Sequence, residues 1–142
     1  MRTFLIALTV AVTLGPVYAQ QPASPASPVA LDFEYFRTRV QPILLHKRPT
    51  LARCYVCHSQ GTPLVIPTLS PGRDTWTEEE SRKNFEVIRR VVVPGNPQMS
   101  RLLTMPLAAE AGGIAFHPGG KHWASQDDRE WRILADWVRG AK

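Results

Sequence analysis

The pentapeptide that most constrains the fold of this 142-residue chain is Cys54-Tyr55-Val56-Cys57-His58, which has the pattern C-x-x-C-H. This is the pattern of covalent haem attachment. Two thiols separated by two residues reach both vinyl groups of one haem from a single turn and form thioethers. The next residue, His58, then lies where its imidazole binds the iron as the proximal ligand. Since the sequence contains no other cysteine, it predicts one covalently attached haem c.

Three other uses of a C-x-x-C pair are alternatives. A redox-active dithiol usually lies within a βαβ pattern, and the residues around Cys54 have none. A zinc site needs four ligands, and no second C-x-x-C or H-x-x-x-H pattern supplies them. A disulfide between Cys54 and Cys57 would be strained in most geometries. Haem attachment is therefore the favoured use, and a haem-free thiol oxidoreductase is the hypothesis that stands if no haem is found.

The N-terminal residues have the pattern of an exported protein. Arg2 precedes an apolar run over 4–14, and Val17-Tyr18-Ala19 fits the small-x-small rule for cleavage before Gln20. We predict a Sec-type signal peptide over 1–19; the apolar run is short for a membrane span, so an uncleaved anchor is the less favoured alternative. Residues 20–30 are rich in Pro, Ala and Ser and predict an extended linker. Covalent haem attachment is completed outside the cytoplasm, which agrees with a periplasmic or otherwise exported location.

The remaining residues, 31–142, have the length of one small domain. The formal net charge of the chain is +5, and its basic residues are dispersed without an aromatic–basic array, so nucleic acid is not an expected partner. A modest positive charge is compatible with an acidic redox partner, although solubility explains it equally well. No base–nucleophile arrangement or phosphate-binding loop is present in the sequence, and we infer no small-molecule substrate.

Helical patterns predominate in this domain, and short apolar runs over 64–66 and 91–93 are weak strand signals. Asp32 opens a helix whose apolar face includes Phe33, Phe36 and Val40, and Pro42 predicts a kink or restart over 39–41. Three more helices are predicted. The first runs from a Thr77–Glu80 capping box to about Arg90, with Phe85, Ile88 and Val92 facing inward. The second is a short helix over 97–104 that buries Leu102 or Leu103. The third is a C-terminal helix that begins with a second capping-box-like pattern at Ser125–Asp128, has Trp131, Leu134, Ala135 and Val138 on one face, and is followed by Gly140.

Several motifs occur in a fixed order along residues 32–141. They are Phe33-Glu34-Tyr35-Phe36 with Val40-Gln41-Pro42-Ile43, the C-x-x-C-H motif, Val93-Pro94-Gly95-Asn96-Pro97, Pro106-Leu107-Ala108 with Gly112-Gly113, Phe116-His117 with Gly119-Gly120-Lys121, and the helix with Trp131 and Trp137. In this order they resemble the single-haem cytochrome c domains common in Planctomycetes and Acidobacteria. The resemblance implies a mostly α, small cytochrome c-like single domain over 31–142, built around one covalent haem.

The sixth ligand of the iron has two main candidates. Ligand chemistry favours Met105, since a Met-Pro pair after a short helix is a common way to present a thioether. In the resembling domains, the histidine before a glycine pair recurs, whereas the residue before Pro-Leu varies. The resemblance therefore implies His117 as the preferred sixth ligand and leaves Met105 as the alternative. Met99 and His122 are further candidates, and a site without a sixth ligand would favour ligand binding or catalysis.

Together these features predict an exported c-type cytochrome that carries single electrons and is more an electron carrier than an enzyme. The expected partners are redox proteins, including membrane-associated ones. The alternative is the haem subunit of a larger enzyme, or a sensor or peroxidase-like protein with an open iron site. A methionine ligand would raise the reduction potential, and a second histidine would lower it.

Overall fold

Helices and the turns between them form the regular structure of residues 28–142, the part of the chain that the computed structural model describes. Within this part there is no strand, and one isolated bridge pairs Leu107 with Trp123. The domain is small and mostly helical, as predicted, while the predicted signal peptide over 1–19 and most of the linker over 20–30 lie outside the described residues. The α-helices are α1 (Phe33–Tyr35), α2 (Gln41–Leu45), α3 (Cys54–His58), α4 (Glu78–Ile88), α5 (Arg101–Thr104) and α6 (Arg129–Val138), with 3₁₀ segments at Arg89–Val91, Pro97–Met99 and Ala109–Ala111.

The N-terminal helix consists of α1, a π-helical stretch over Phe36–Val40 and α2 in direct succession. Asp32 caps it, because its carboxylate accepts a hydrogen bond of 2.6 Å from the Tyr35 amide. The π stretch ends just before Pro42, which has no amide hydrogen and whose ring clashes with the carbonyl one turn back in a regular α-helix. Widening that turn relieves the clash, and the Gln41 amide bonds to the Phe36 carbonyl five residues back. The break predicted from Pro42 is therefore present as a π stretch.

The N-terminal helix packs against α6. The Phe36 and Trp137 ring centres are 5.5 Å apart, and the Trp137 indole donates a hydrogen bond of 2.8 Å to the Asp32 carbonyl. Phe85 of α4 meets both rings edge-on, at 5.4 Å from Phe36 and 6.0 Å from Trp137. Each large side chain of this kind stabilises the fold by about 1.5–3 kcal/mol when it is fully buried. These contacts fix the N-terminal helix against α6.

The predicted capping box of α4 is present. The Thr77 hydroxyl accepts from the Glu80 amide at 3.2 Å, and the Glu80 carboxylate accepts from the Thr77 amide at 2.7 Å. Ile88 and Val92 are buried as predicted, and Phe85 is partly buried against the core.

The predicted start of α6 was wrong by one turn. Ser125 forms a turn of its own, in which its hydroxyl accepts from the Asp127 amide at 3.1 Å. The cap is Asp128, whose carboxylate accepts from the Glu130 amide at 2.9 Å, so that the helix begins at Arg129. Both residue types are good caps, and their order along the chain does not decide between them. The rest of α6 follows the prediction, with Trp131, Leu134, Ala135 and Val138 buried together with Trp137.

No helix in residues 28–142 is long and apolar enough to cross a membrane. The helices instead line a cavity, to which α2, α4 and α6 contribute apolar side chains and α3, α5 and the segment over 105–123 also contribute lining residues.

Candidate functional site

The cavity has a volume of about 400 Å³, within the range of small-ligand and cofactor sites. Its lining is largely apolar and comes from segments along the whole described chain. The apolar lining includes Ile43, Leu44, Leu64, Ile66, Ile88, Val91, Leu102, Trp123 and Leu134, and the groups with metal-binding or nucleophilic chemistry are Cys54, Cys57, His58, Met105, His117 and His122. The fold therefore brings all five site residues predicted from the sequence, from Cys54 to His117, to one cavity.

The two cysteines lie on α3, which begins at Cys54 after an extended Arg53. The Arg53 guanidinium donates a hydrogen bond of 2.9 Å to the Leu45 carbonyl and ties the start of α3 to the end of α2. One helical turn separates the two sulfurs, and both are free thiols on the cavity wall. Burial raises the pKa of the Cys54 thiol, an effect that the Arg48 guanidinium partly offsets, whereas Cys57 is exposed.

His58 ends α3 with one ring nitrogen satisfied by the chain itself. Its Nδ1 lies 3.1 Å from the Leu64 carbonyl and 3.2 Å from the Thr62 hydroxyl. Since a carbonyl only accepts, Nδ1 carries the proton and Nε2 keeps a lone pair. Burial lowers the pKa of His58, with the Leu64 hydrogen bond opposing this and His117 adding to it. A neutral imidazole with its Nδ1–H held by a carbonyl is the form in which histidine binds metals.

His117 is held in the same way on the opposite side of the cavity. Its Nδ1 lies 2.6 Å from the Gly120 carbonyl, and the Gly120 amide donates back to the His117 carbonyl at 2.9 Å. The turn needs both glycines. Gly120 has a φ of +83°, and a Cβ at Gly119 would lie 3.1 Å from Cε1 of the His117 ring. The Gly119-Gly120 pair thus sets the ring orientation and leaves Nε2 of His117 available.

The two imidazole rings lie at a spacing that suits one metal ion. Their centres are 6.3 Å apart, and their planes differ by 16°. Metal–imidazole bonds are about 2 Å long, and a ring with bonds of about 1.4 Å has its atoms about 1.2 Å from its centre. Two imidazoles on opposite sides of one metal ion therefore have their centres about 6 Å apart. Offset stacking of the two rings also spans this distance. Stacking would not, however, explain why both Nε2 atoms have no hydrogen-bond partner among the described residues.

The other predicted ligands are placed differently. Met105 is partly buried at the same cavity, and its sulfur lies 3.6 Å from the Arg101 guanidinium. Met99 is 66% exposed outside the cavity. Met105 therefore stays a possible ligand by position, whereas His117 is the residue whose ring faces His58.

His122 belongs to a partly buried polar cluster that sequence reasoning missed. We call it the Arg48 cluster, and it consists of Arg48, His122, Trp123 and Glu130. The Arg48 guanidinium donates to Nδ1 of His122 at 3.2 Å, binds the Glu130 carboxylate, and lies 5.6 Å from the Trp123 ring centre. His46, outside the cavity, binds the other Glu130 oxygen at 2.6 Å. Arg48 is only 8% exposed, yet no local pattern in the sequence distinguishes it from the other arginines.

Within residues 28–142 there is no group of three or more His, Cys, Asp or Glu side chains that would hold a metal ion. These residues therefore do not support a metal site in which the chain supplies every ligand. The facing histidines suit a metal ion whose other ligands come from a bound group. Comparisons with family models, with curated proteins and with solved structures find no match.

Proposed function

We propose that this protein is an exported c-type cytochrome that carries single electrons through one covalently attached haem. The observation that carries the proposal is the pair of facing histidines, His58 and His117, across an apolar cavity that has two free thiols on its wall. A haem supplies four iron ligands itself and needs two more on opposite faces. The lining suits its flat apolar ring, and the free Nε2 atoms suit its iron.

In this proposal each residue of the motif has one task. Cys54 and Cys57 would hold the haem through thioether bonds to its two vinyl groups. His58 would be one protein ligand of the iron, and the Leu64 carbonyl keeps its ring in the required tautomer. His117 would be the other, with its ring held by the Gly120 carbonyl. When bound, the iron supplies a one-electron couple between its ferrous and ferric states.

A carrier is favoured over an enzyme because His58 and His117 together would leave the iron of a bound haem no open position. A fully ligated iron exchanges electrons without binding a substrate, whereas an oxidase, sensor or peroxidase needs an open position. Two histidines place the reduction potential below that of a histidine–methionine pair. The proposed partners are redox proteins, including membrane-associated ones, and the proposed location is the periplasm or another exported compartment.

The first experiment is expression with an export signal in a host that attaches haem c, followed by a pyridine haemochrome spectrum of the purified protein. We expect the c-type spectrum with one haem per chain and a mass increase of one haem. The matched control is the Cys54→Ala/Cys57→Ala double variant, which should carry no covalent haem. A wild-type protein without haem c would overturn the proposal and leave a thiol oxidoreductase as the better hypothesis.

The second experiment separates a carrier from an open-site protein. The reduced protein is mixed with CO, which binds only iron that has a free or weakly held sixth position. We expect little or no binding by the wild-type protein and a large spectral change with His117→Ala. Rapid CO binding by the wild-type protein would favour the sensor or peroxidase-like alternative instead.

A further inference from the structure

The Arg48 cluster lies directly behind the segment that carries His117. His122 lines the cavity on one side and, on the other, a wider surface groove that Arg48 and Glu130 also line. The cluster therefore forms the wall between the cavity and this groove. Nothing in the electron-carrying role proposed above requires a buried arginine at this place.

The hydrogen bonds of the cluster assign the His122 tautomer. Arginine has only donors, so Nδ1 of His122 must accept from Arg48 at 3.2 Å and the ring proton must lie on Nε2. The His122 ring also lies beside the His117 ring: their centres are 6.2 Å apart, and their planes differ by 57°. His122 thus takes a hydrogen bond from Arg48 on one side and faces the His117 ring on the other.

Gly119 in turn limits the position of the His117 ring. Its backbone packs so closely that an added Cβ would lie 3.1 Å from Cε1 and 3.6 Å from Nε2 of that ring. A continuous series of contacts therefore runs from Glu130 on α6 through Arg48 and His122 to the His117 ring, which the Gly119 backbone also confines. The Glu130–Arg48 end is fixed, since α6 is packed in the core and Arg48 is buried.

We propose that Arg48 is a positioning residue for His117, acting through His122 to keep the His117 ring directed at the iron. The inference rests on the proposed haem function. The guanidinium satisfies His122 and Glu130 at once, and a hydrogen bond of this charged kind changes an equilibrium by about tenfold or more when it is lost. Without Arg48 the turn over 117–120 keeps its own hydrogen bonds but loses its support from α6.

The test is the variant Arg48→Gln in the holoprotein, with Arg82→Gln as the matched control. Arg82 is an exposed arginine that also pairs with a glutamate, Glu78, but lies on the outer face of α4. We expect Arg48→Gln to keep one covalent haem per chain while the fraction of high-spin ferric protein rises about tenfold. Added imidazole should restore the low-spin spectrum, as it should for His117→Ala, and the reduced variant should bind CO faster than the control.

A second variant protects the test against a folding defect, because Arg48→Gln leaves Glu130 without its partner. His122→Phe keeps the ring volume and the Arg48–Glu130 pair but removes the hydrogen bond from Arg48, and it should give the same imidazole-rescued high-spin fraction. Low-spin spectra and CO exclusion equal to the control in both variants would overturn the inference.

The outcomes for this inference and for the proposed function are distinguishable. A wild-type protein without haem c contradicts the proposed function itself. A wild-type protein with haem c, in which His117→Ala stays low-spin, overturns the positioning role alone because His117 is then not the ligand. Loss of covalent haem from Arg48→Gln would also count against the inference, since it would place the effect at Cys54, whose thiol pKa the Arg48 charge also lowers.

Discussion

The two sides of the cavity are built in different ways. On the proximal side, formed by residues 54–66, His58 is oriented by partners four to six residues away, Thr62 and Leu64. On the distal side, formed by residues 105–123, His117 has one local hydrogen bond to Gly120, but its segment is supported by Arg48 and Glu130. Arg48 lies 74 residues from His122 and 82 residues from Glu130. The orientation of His58 therefore depends on residues near its own motif, whereas the orientation of His117 also depends on residues from distant parts of the chain.

The largest effect that separates the two sides is expected from His58→Ala compared with His117→Ala. If the proposed haem site is correct, removing His58 takes away an iron ligand next to the two cysteines, so we expect loss of the normal haem spectrum and a lower yield of holoprotein. Removing His117 should leave one covalent haem per chain and convert the ferric protein from low-spin to high-spin. Absorption spectra and haem content of the two variants measure this difference, and equal losses of haem in both would contradict it.

The next effect concerns the choice of the distal ligand. Met105→Ala should leave the low-spin spectrum intact, because the sulfur of Met105 lies against Arg101 and the His117 ring faces His58. The measurement is the ferric absorption spectrum, including the charge-transfer band of a methionine–iron bond, which should be absent from the wild-type protein. A high-spin Met105→Ala variant combined with a low-spin His117→Ala variant would reverse the assignment.

A smaller effect is expected from one methyl group in the distal turn. Gly119→Ala would place its Cβ 3.1 Å from the His117 ring, so the ring must shift, and the reduction potential and the high-spin fraction should both change. The control is Gly72→Ala: its backbone φ of +77° makes alanine unfavourable, but no atom lies within 4 Å of the new Cβ. We expect the control to lower stability while the spectrum and potential stay as in the wild-type protein. The same spectral change in both variants would show that the contact between Gly119 and the His117 ring does not control the spectrum.

The smallest effect is a dependence of stability on pH through His122. Its pKa is lowered to about 4 in the folded protein, against about 6.5 in an unfolded chain. Below about pH 6.5 the unfolded state binds the proton and the folded state does not, so stability falls as the pH drops toward 4 and is unaffected above this window. The measurement is the denaturant midpoint of the wild-type protein and of His122→Gln from pH 7 to pH 4.

We expect the loss to be smaller in His122→Gln, which has no group that titrates at this position. The effect is modest because His122 is only half-buried, and solvent screens part of its interaction with Arg48. Parallel curves for the two proteins would show that His122 does not titrate in this way.

The same contrast explains what the sequence could predict. The cysteines and His58 form a local motif, and the Thr77–Glu80 box and the apolar face of α6 are also local patterns, so their places in the fold could be predicted. The start of α6 was missed because Ser125 and Asp128 are equally good caps. The choice between Met105 and His117 could not be made from ligand chemistry alone, since both residues line one cavity and only the fold brings the His117 ring opposite His58. Arg48 had no local signal at all. The haem, the export and the redox partners stay predictions.

The central claim is that His58 and His117 together hold the iron of one covalent haem. The most direct measurement is the low-temperature electron paramagnetic resonance spectrum of the ferric wild-type protein. Ring planes that differ by only 16° split the iron orbitals unequally, so we expect a rhombic low-spin signal from two nearly parallel imidazoles. An axial high-spin signal, or a low-spin signal that persists unchanged in His117→Ala, would contradict the account.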